Sequence, residues 1–200
     1  MILCIDTFSD NFSVSLLSPN MKVIGCIDLL KPKPFSEILL TEIDQLLKKL
    51  SIRKTEVSKV VVNKGPGSNT GLRVGAITGK TISYTLSVPL YSYVSLDAIA
   101  YGYRHFHGKV IPCINVGKGM VAYKVFEKSK EVQSLTFEEI DSFKDRYLLK
   151  EDILIVEKNL NLQAKNSIPP LVPLSILGGI YAVENDLLED TFLFEPIYHS

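Results

Sequence analysis

The run Val60-Val61-Val62-Asn63-Lys64-Gly65-Pro66-Gly67-Ser68-Asn69-Thr70-Gly71-Leu72-Arg73-Val74-Gly75 constrains the fold of this chain more than any other stretch. A β-branched apolar segment, a Gly-Pro-Gly turn and a helical pattern predict a strand, a tight connection and a helix. That layout aims backbone N–H groups at an anion. Two nucleotide loops come close, and both fail. A dinucleotide fingerprint begun at Gly65 needs glycine at position 70, where Thr70 stands, and a Walker A loop ending in Gly79-Lys80-Thr81 needs one where Val74 stands.

The helix after the turn carries a second constraint. Gly71, Gly75, Gly79 and Ser83 recur every four residues, a stripe of small side chains on one face. Each interior glycine costs about 0.8–1.0 kcal/mol relative to alanine, so another backbone must approach closely to offset it. The expected neighbour is a helix over Phe35–Leu50. Its apolar positions, Phe35, Ile38, Leu39, Leu40, Ile43, Leu46, Leu47 and Leu50, cover roughly 200° of arc, where a core-facing helix needs about 100° or somewhat more. The excess implies a second apolar contact, inside the chain or with a partner. Leu39, Leu40, Ile43 and Leu47, with Thr70, Gly71, Arg73, Gly75, Gly79 and Ser83, are the expected partner and dimer surface.

Around these helices the alternation of apolar runs predicts three strands, Ile2–Asp6, Phe12–Leu17 and Lys22–Leu29, joined by turns at Ser9-Asp10-Asn11 and Ser18-Pro19-Asn20. Strands over Lys59–Asn63 and Pro89–Tyr93, with a helix to about Ser87 between them, complete the order βββαβαβ. After a helix over Ser95–Tyr103 the pattern partly recurs. Strands are expected at Val110–Asn115, Met120–Glu127 and Glu131–Leu135, a helix at Thr136–Asp145, and a strand at Ile153–Val156. This order predicts an internally duplicated mixed α/β fold. Pro173 opens a last helix to about Leu188, expected to pack back on the first lobe. The expected lobes are residues 1–100 with 173–188, and a smaller one over 101–172.

Composition narrows the function classes. Hydrophobic residues make up 46% of the 200 and charged residues 22%, which excludes a disordered chain and a collagen. Cys4, Cys26 and Cys113 show no ligand or redox spacing and read as buried reduced thiols of a cytoplasmic protein. The uncharged stretch Asn166–Val183 is broken by Pro169, Pro170, Pro173, Gly178 and Gly179, so no membrane span is expected. The formal net charge is zero, yet Lys48 to Lys80 holds eight basic residues and one acid, Glu56, while the last twenty residues hold five acids and no Lys or Arg. Two readings stand: matching charges within the chain and solvated faces, or a basic surface for tRNA or an acidic protein.

The opening Ile2-Leu3-Cys4-Ile5-Asp6-Thr7, the spacing to the Gly65–Gly75 motif and the closing Glu195-Pro196-Ile197-Tyr198 together resemble the bacterial TsaB (YeaZ) family. The resemblance implies an α/β actin-like ATPase (ASKHA) fold, two lobes of duplicated βββαβαβα type with the second reduced, and no competent catalysis. It further implies a partner of the TsaD enzyme, acting with the ATPase TsaE in making threonylcarbamoyladenosine in tRNA. Implied too are a homodimer through first-lobe helices when alone, tRNA met indirectly through the complex, and no cofactor of its own, with ATP/ADP and Mg²⁺ entering through the partners. Phe35 stands where the family usually has histidine, and Asn69 where it usually has phenylalanine. Asn115-Val116-Gly117-Lys118-Gly119-Met120 replaces an Asp-Ala-Arg-x-Gly-Glu-like stretch, and His199-Ser200 stands where members often continue with Leu-Arg and a basic tail.

In active members of the actin-like superfamily an aspartate at the position of Asp6 begins a phosphate hairpin, which needs a small residue for the backbone to approach phosphate. Phe8 fills that position in Asp6-Thr7-Phe8-Ser9-Asp10. Asp6, Thr7, Ser9, Gly65 and Gly67 are therefore a degenerate phosphate site, with Asp6, Thr7, Ser9 and Asp10 meeting a cation weakly, or else a turn satisfied internally. Arg73 either grips a phosphate or carboxylate at the helix start or makes a structural pair that holds the two lobes or the dimer. His105-Phe106-His107 has no third ligand near it and reads as a solvated loop. Neither Gly-x-Ser-x-Gly nor His-Glu-x-x-His occurs, which excludes those routes to proteolysis. Three readings of function remain: a non-catalytic scaffold in tRNA modification, an active ATPase or kinase of the actin-like fold, and a homodimeric interaction protein with another client.

Overall fold

The computed structural model describes residues 1–9, 11–30, 34–148, 153–158, 160, 162 and 165–198. Asp10 and His199-Ser200, singled out above, lie outside them. Two compact units form, Met1–Ser95 with Pro173–Ser200, and Leu96–Val172.

The first unit runs β1 (Ile2–Asp6), β2 (Asn11–Leu17), β3 (Val23–Leu30), α1 (Phe35–Lys49), a 3₁₀ turn (Lys54–Glu56), β4 (Lys59–Gly65), α2 (Asn69–Leu86) and β5 (Leu90–Val94). The second holds most of α3 (Ser95–Gly102), then β6 (Lys109–Gly117), β7 (Met120–Glu127), β8 (Lys130–Glu139), α4 (Ile140–Tyr147), β9 (Ile153–Lys158) and β10 (Ser167–Ile168). The chain returns to the first unit as α5 (Leu174–Glu184) and β11 (Leu188–Glu189).

The first sheet has the order β11-β5-β4-β1-β2-β3. β1 pairs antiparallel with β2, Ile5 opposite Val14, and parallel with β4, Ile5 beside Val62. A strand paired on both edges and covered on both faces can be apolar throughout, and every residue of β1 is buried. On one face Leu3, Ile5, Val60 and Val62 pack with Leu39, Ile43, Leu46 and Leu47 of α1 and Ala76 of α2. On the other, α5 lies so close that Gly178 sits over the Tyr93 ring and Gly179 against Cys4 Sγ. Burying a Val, Leu or Ile side chain contributes about 1.5–3 kcal/mol, so these two layers hold the C-terminal ends of β1 and β4 in place.

In the second unit the order is β10-β9-β6-β7-β8, with a core of Ile111, Cys113, Tyr123, Phe143, Tyr147 and Ile155. Lys124 Nζ donates to Asp97 Oδ1 and Glu131 Oε2, each at 2.7 Å, tying α3 to β7 and β8. Burial pushes the Asp97 carboxyl above its ordinary value.

Two element readings need correction. Thr136–Glu139 is strand, not the start of a helix: Thr136 pairs with Tyr123 and Phe137 with Ala122, so β8 continues to Glu139 and the helix spans Ile140–Tyr147. Pairing with β7 outweighs the local helical pattern. The last helix stops at Glu184, not Leu188, because Leu188 and Glu189 pair with Tyr91 and Leu90 at the edge of the first sheet. Among the described residues no helix is long and apolar enough to cross a membrane.

Candidate functional site

The connection from β4 to α2 is locked to the end of β1. Gly65 has φ +100°, a backbone that favours glycine, and is followed by a cis bond to Pro66. Ser68 caps α2, its Oγ accepting from Gly71 N at 3.4 Å, and Ser68 N donates to the Phe8 carbonyl at 2.6 Å. Thr7 Oγ1 donates to the Gly71 carbonyl at 2.8 Å. Asn63, a buried polar residue that follows three valines in β4, clamps the whole. Its Nδ2 donates to Asp6 Oδ1 at 2.9 Å, and its Oδ1 accepts from Gly65 N at 2.8 Å and from Ser95 Oγ at 2.9 Å.

The fold therefore brings Asp6, Thr7, Gly65 and Gly67 together, with Ser9 buried just beyond them, as a phosphate hairpin requires. Their polar groups turn inward. Asp6 Oδ1 also accepts from Phe8 N at 3.4 Å. Phe8 is buried and its side chain lies against Gly67, where a phosphate-binding hairpin leaves room for its ligand. Tyr93 sits beneath this cluster, and burial, then the nearby Asp6 charge, push its phenol well above its ordinary value.

The glycine stripe faces the sheet, which corrects the helix-on-helix reading. A Cβ on Gly71 would fall on the Thr7 carbonyl oxygen, one on Gly75 on Thr7 Oγ1, and one on Gly79 on Val62 Cγ1. Ser83 Oγ donates to the Val88 carbonyl at 2.6 Å and meets Thr191 Oγ1 at 3.2 Å. A parallel β–α–β crossover must lie on its own sheet, and the missing side chains let α2 do so. Gly71, Gly75, Gly79 and Ser83 are thus covered from inside the unit, and on α2 Thr70, Arg73, Ile77, Thr81 and Tyr84 face outward.

The wide apolar arc of α1 resolves in the same way. Leu39, Ile43, Leu46 and Leu47 are buried in the core, and Phe35, Ile38 and Leu50 are half-buried. Leu40 is 65% exposed. It stands at the mouth of a groove of about 310 Å³ between α1 and α2, with Leu3 and Ile43 among its lining, Thr81 and Thr85 on the α2 side and the Asp44–Lys54 pair at one end. The two lysines that donate to Asp44, Lys48 and Lys54, hold its carboxyl below the usual carboxylate range.

A strap from Glu189 to Tyr198 crosses α2, and its only sequence signal is the mismatch of basic and acidic segments. Lys64 Nζ meets Glu189 Oε1 at 2.6 Å, and Lys80 Nζ donates to the carbonyls of Phe192 and Phe194 at 3.0 and 3.2 Å. Arg73 stacks its guanidinium 5.2 Å from the Tyr198 ring centroid, a contact inside the first unit. His105 and His107 are exposed, and the Gly117-Lys118-Gly119 hairpin tip stands clear of other atoms around its two glycines.

Residues 29–192 match the family model described as TsaD, tRNA N6-adenosine threonylcarbamoyltransferase. The tRNA threonylcarbamoyladenosine biosynthesis protein TsaB of Bacillus subtilis (strain 168) is 34% identical over 120 residues, 60% of this chain and 52% of the relative. The chain thus spans about half the length of that relative. Among solved structures, YeaZ from Pseudomonas aeruginosa superposes with a TM-score of 0.75 over 99% of both chains at 16% identity. The activator of the 2-hydroxyisocaproyl-CoA dehydratase from Clostridium difficile, solved with bound ADPNP, reaches 0.58 over 92% of this chain and 94% of its own at 8% identity. These likenesses establish the actin-like α/β fold.

Proposed function

The chain belongs to the TsaB (YeaZ) branch of the TsaD, tRNA N6-adenosine threonylcarbamoyltransferase, family, and on that premise we propose that it serves tRNA threonylcarbamoyladenosine formation as a non-catalytic scaffold. Its partner in this reading is the TsaD transferase, which it binds and organises. TsaE joins that assembly, ATP, ADP and Mg²⁺ enter through the partners, and tRNA is met through the complex. In isolation two copies pair through α1 and α2.

The observation that carries the reading is the packing of Phe8 into the hairpin. Its ring lies against Gly67 and its carbonyl takes the Ser68 amide, while Asp6 is engaged by Asn63. A carboxylate held this way is a structural acceptor, and the space a phosphate would need is filled. An outward apolar surface lies instead at Leu40 and the α1–α2 groove, where apolar side chains of a partner helix would fit.

Reconstituted tRNA modification tests this. Asp6→Asn keeps an acceptor for Asn63 and removes the charge, so modified adenosine is expected at near-normal yield. Leu40→Asp places a charge at the mouth of the groove on an already exposed position, so the fold is retained. Association with the transferase and modification are expected to fall together. A dead Asp6→Asn protein that still binds its partner, together with an active Leu40→Asp protein, would show a catalytic subunit.

A further inference from the structure

The end of α1 and the entry to β4 form the most basic surface of the first unit's sequence. From Gln45 to Val62 the chain carries Lys48, Lys49, Arg53, Lys54 and Lys59 against one carboxylate, Glu56. Lys48 and Lys54 converge on a single acceptor, with Nζ atoms 2.7 Å and 3.0 Å from the two oxygens of Asp44. Arg53 leans on Glu56 at 3.2 Å. Sharing carboxylates fixes where the cations stand but leaves them in surplus. The side chains remain open to solvent, 76% exposed for Lys48, 80% for Arg53 and 69% for Lys54. The formal net charge of the chain is zero, and at physiological salt charges beyond about 8 Å are screened, so this surplus acts locally.

Lys48 and Lys49 also offset the negative end of the α1 dipole, but that effect ends with the last turn and does not account for the surplus charge of Arg53 and Lys54. Lysine is depleted in protein–protein interfaces, whereas exposed Lys and Arg are the groups that neutralise backbone phosphates. We propose that, in addition to the contact with tRNA made through the complex, Lys48, Lys49, Arg53 and Lys54 form a direct contact for its phosphate backbone, positioning it without reading its bases. The identity of the nucleic acid rests on the function proposed above; the cation ridge itself does not.

The test is the affinity of the full chain for labelled tRNA across a salt series. Each phosphate neutralised adds about 0.7–0.9 to the magnitude of the slope of log affinity against log salt, so four contacts give a slope of about −3. The combined Lys48→Gln, Lys49→Gln, Arg53→Gln and Lys54→Gln variant, checked for an unchanged melting profile, is expected to lose at least tenfold in affinity at low salt and most of that slope. Substituting Lys118, Lys128 and Lys130 of the second unit by Gln, equally exposed, is expected to change neither. Equal losses in the two variants, or an unchanged slope in the first, would overturn the contact. If the first variant kept its tRNA slope but lost co-sedimentation with the transferase, the ridge would be a surface for an acidic protein face and the inference would fall. The scaffold reading is judged separately, by the Leu40→Asp and Asp6→Asn proteins.

Discussion

The seat of α2 on β1 can be tested by a double-mutant cycle at Gly75 and Thr7. An added Cβ at Gly75 would overlap Thr7 Oγ1, with Thr7 Cβ next at 3.6 Å. One hydroxyl is therefore the whole obstacle. Gly75→Ala alone gains about 0.8–1.0 kcal/mol of helix propensity but forces that hydroxyl aside. Overpacking costs about 1–3 kcal/mol, and displacing Thr7 Oγ1 also endangers its hydrogen bond to the Gly71 carbonyl, worth about 1 kcal/mol. The expected net change is about 1–3 kcal/mol of destabilisation. In a Thr7→Ala background the nearest remaining atom is at ordinary contact distance, so the same Gly75→Ala change is expected to stabilise by about 0.5–1 kcal/mol. Urea unfolding followed by circular dichroism measures all four corners. At Gly71 the obstacle is the Thr7 main-chain oxygen, so Thr7→Ala is expected to leave Gly71→Ala unrescued. If Gly75→Ala were equally harmful in both backgrounds, or harmless in wild type, Gly75 would not rest on Thr7 and this account of its place would be wrong.

Burial pushes the Cys4 thiol from 9.0 up to about 12, so the folded chain holds a proton there that the unfolded chain releases. Stability is therefore fully present below pH 9 and is lost progressively from about pH 9 to 12, and Cys4→Ala is expected to flatten that alkaline limb of a stability–pH curve. Removing the Lys80 ammonium in Lys80→Met is expected to cost about 1 kcal/mol and to speed proteolysis within residues 190–198, read by limited digestion, since it bonds two strap carbonyls. Cys26, half-buried on edge strand β3, is expected to react with a thiol reagent well before Cys4 and Cys113, which are buried.

Most of the element order is legible because burial in this fold follows simple periods. Val60-Val61-Val62 has no polar alternation and becomes a strand covered on both faces, and the α1 leucines recur at helical spacing and reach the core. What escapes is set by pairing between distant residues. Thr136 joins a strand because Tyr123 is its partner, and Leu188 leaves a helix because Tyr91 offers a free edge. The glycine stripe was visible, but which surface it meets was not, since a helix and a sheet both reward a missing Cβ. Asn63 left a faint signal, one amide ending an apolar strand. Its three partners span residues 6 to 95, and no local pattern encodes such a clamp.

The glycines that identify the motif are all used by the chain itself. Gly65 leaves room for the Ile197 carbonyl, Gly67 for Phe8, Gly71 and Gly75 for Thr7, and Gly79 for Val62. A glycine kept for a ligand should open onto space, as Gly117 and Gly119 do at a hairpin tip with no atom within 4 Å of an added Cβ. At positions 65 to 79 a Cβ would strike this chain's own atoms instead. A glycine signature of this kind therefore reports how closely a helix sits on its sheet, and carries no information about phosphate unless the hairpin across from it is empty. Here Phe8 fills that hairpin. The same packing that makes the motif recognisable thus directs the search for function outward, to Leu40 and the groove beside it, where a substitution is expected to alter association and to leave the hairpin's hydrogen bonds in place.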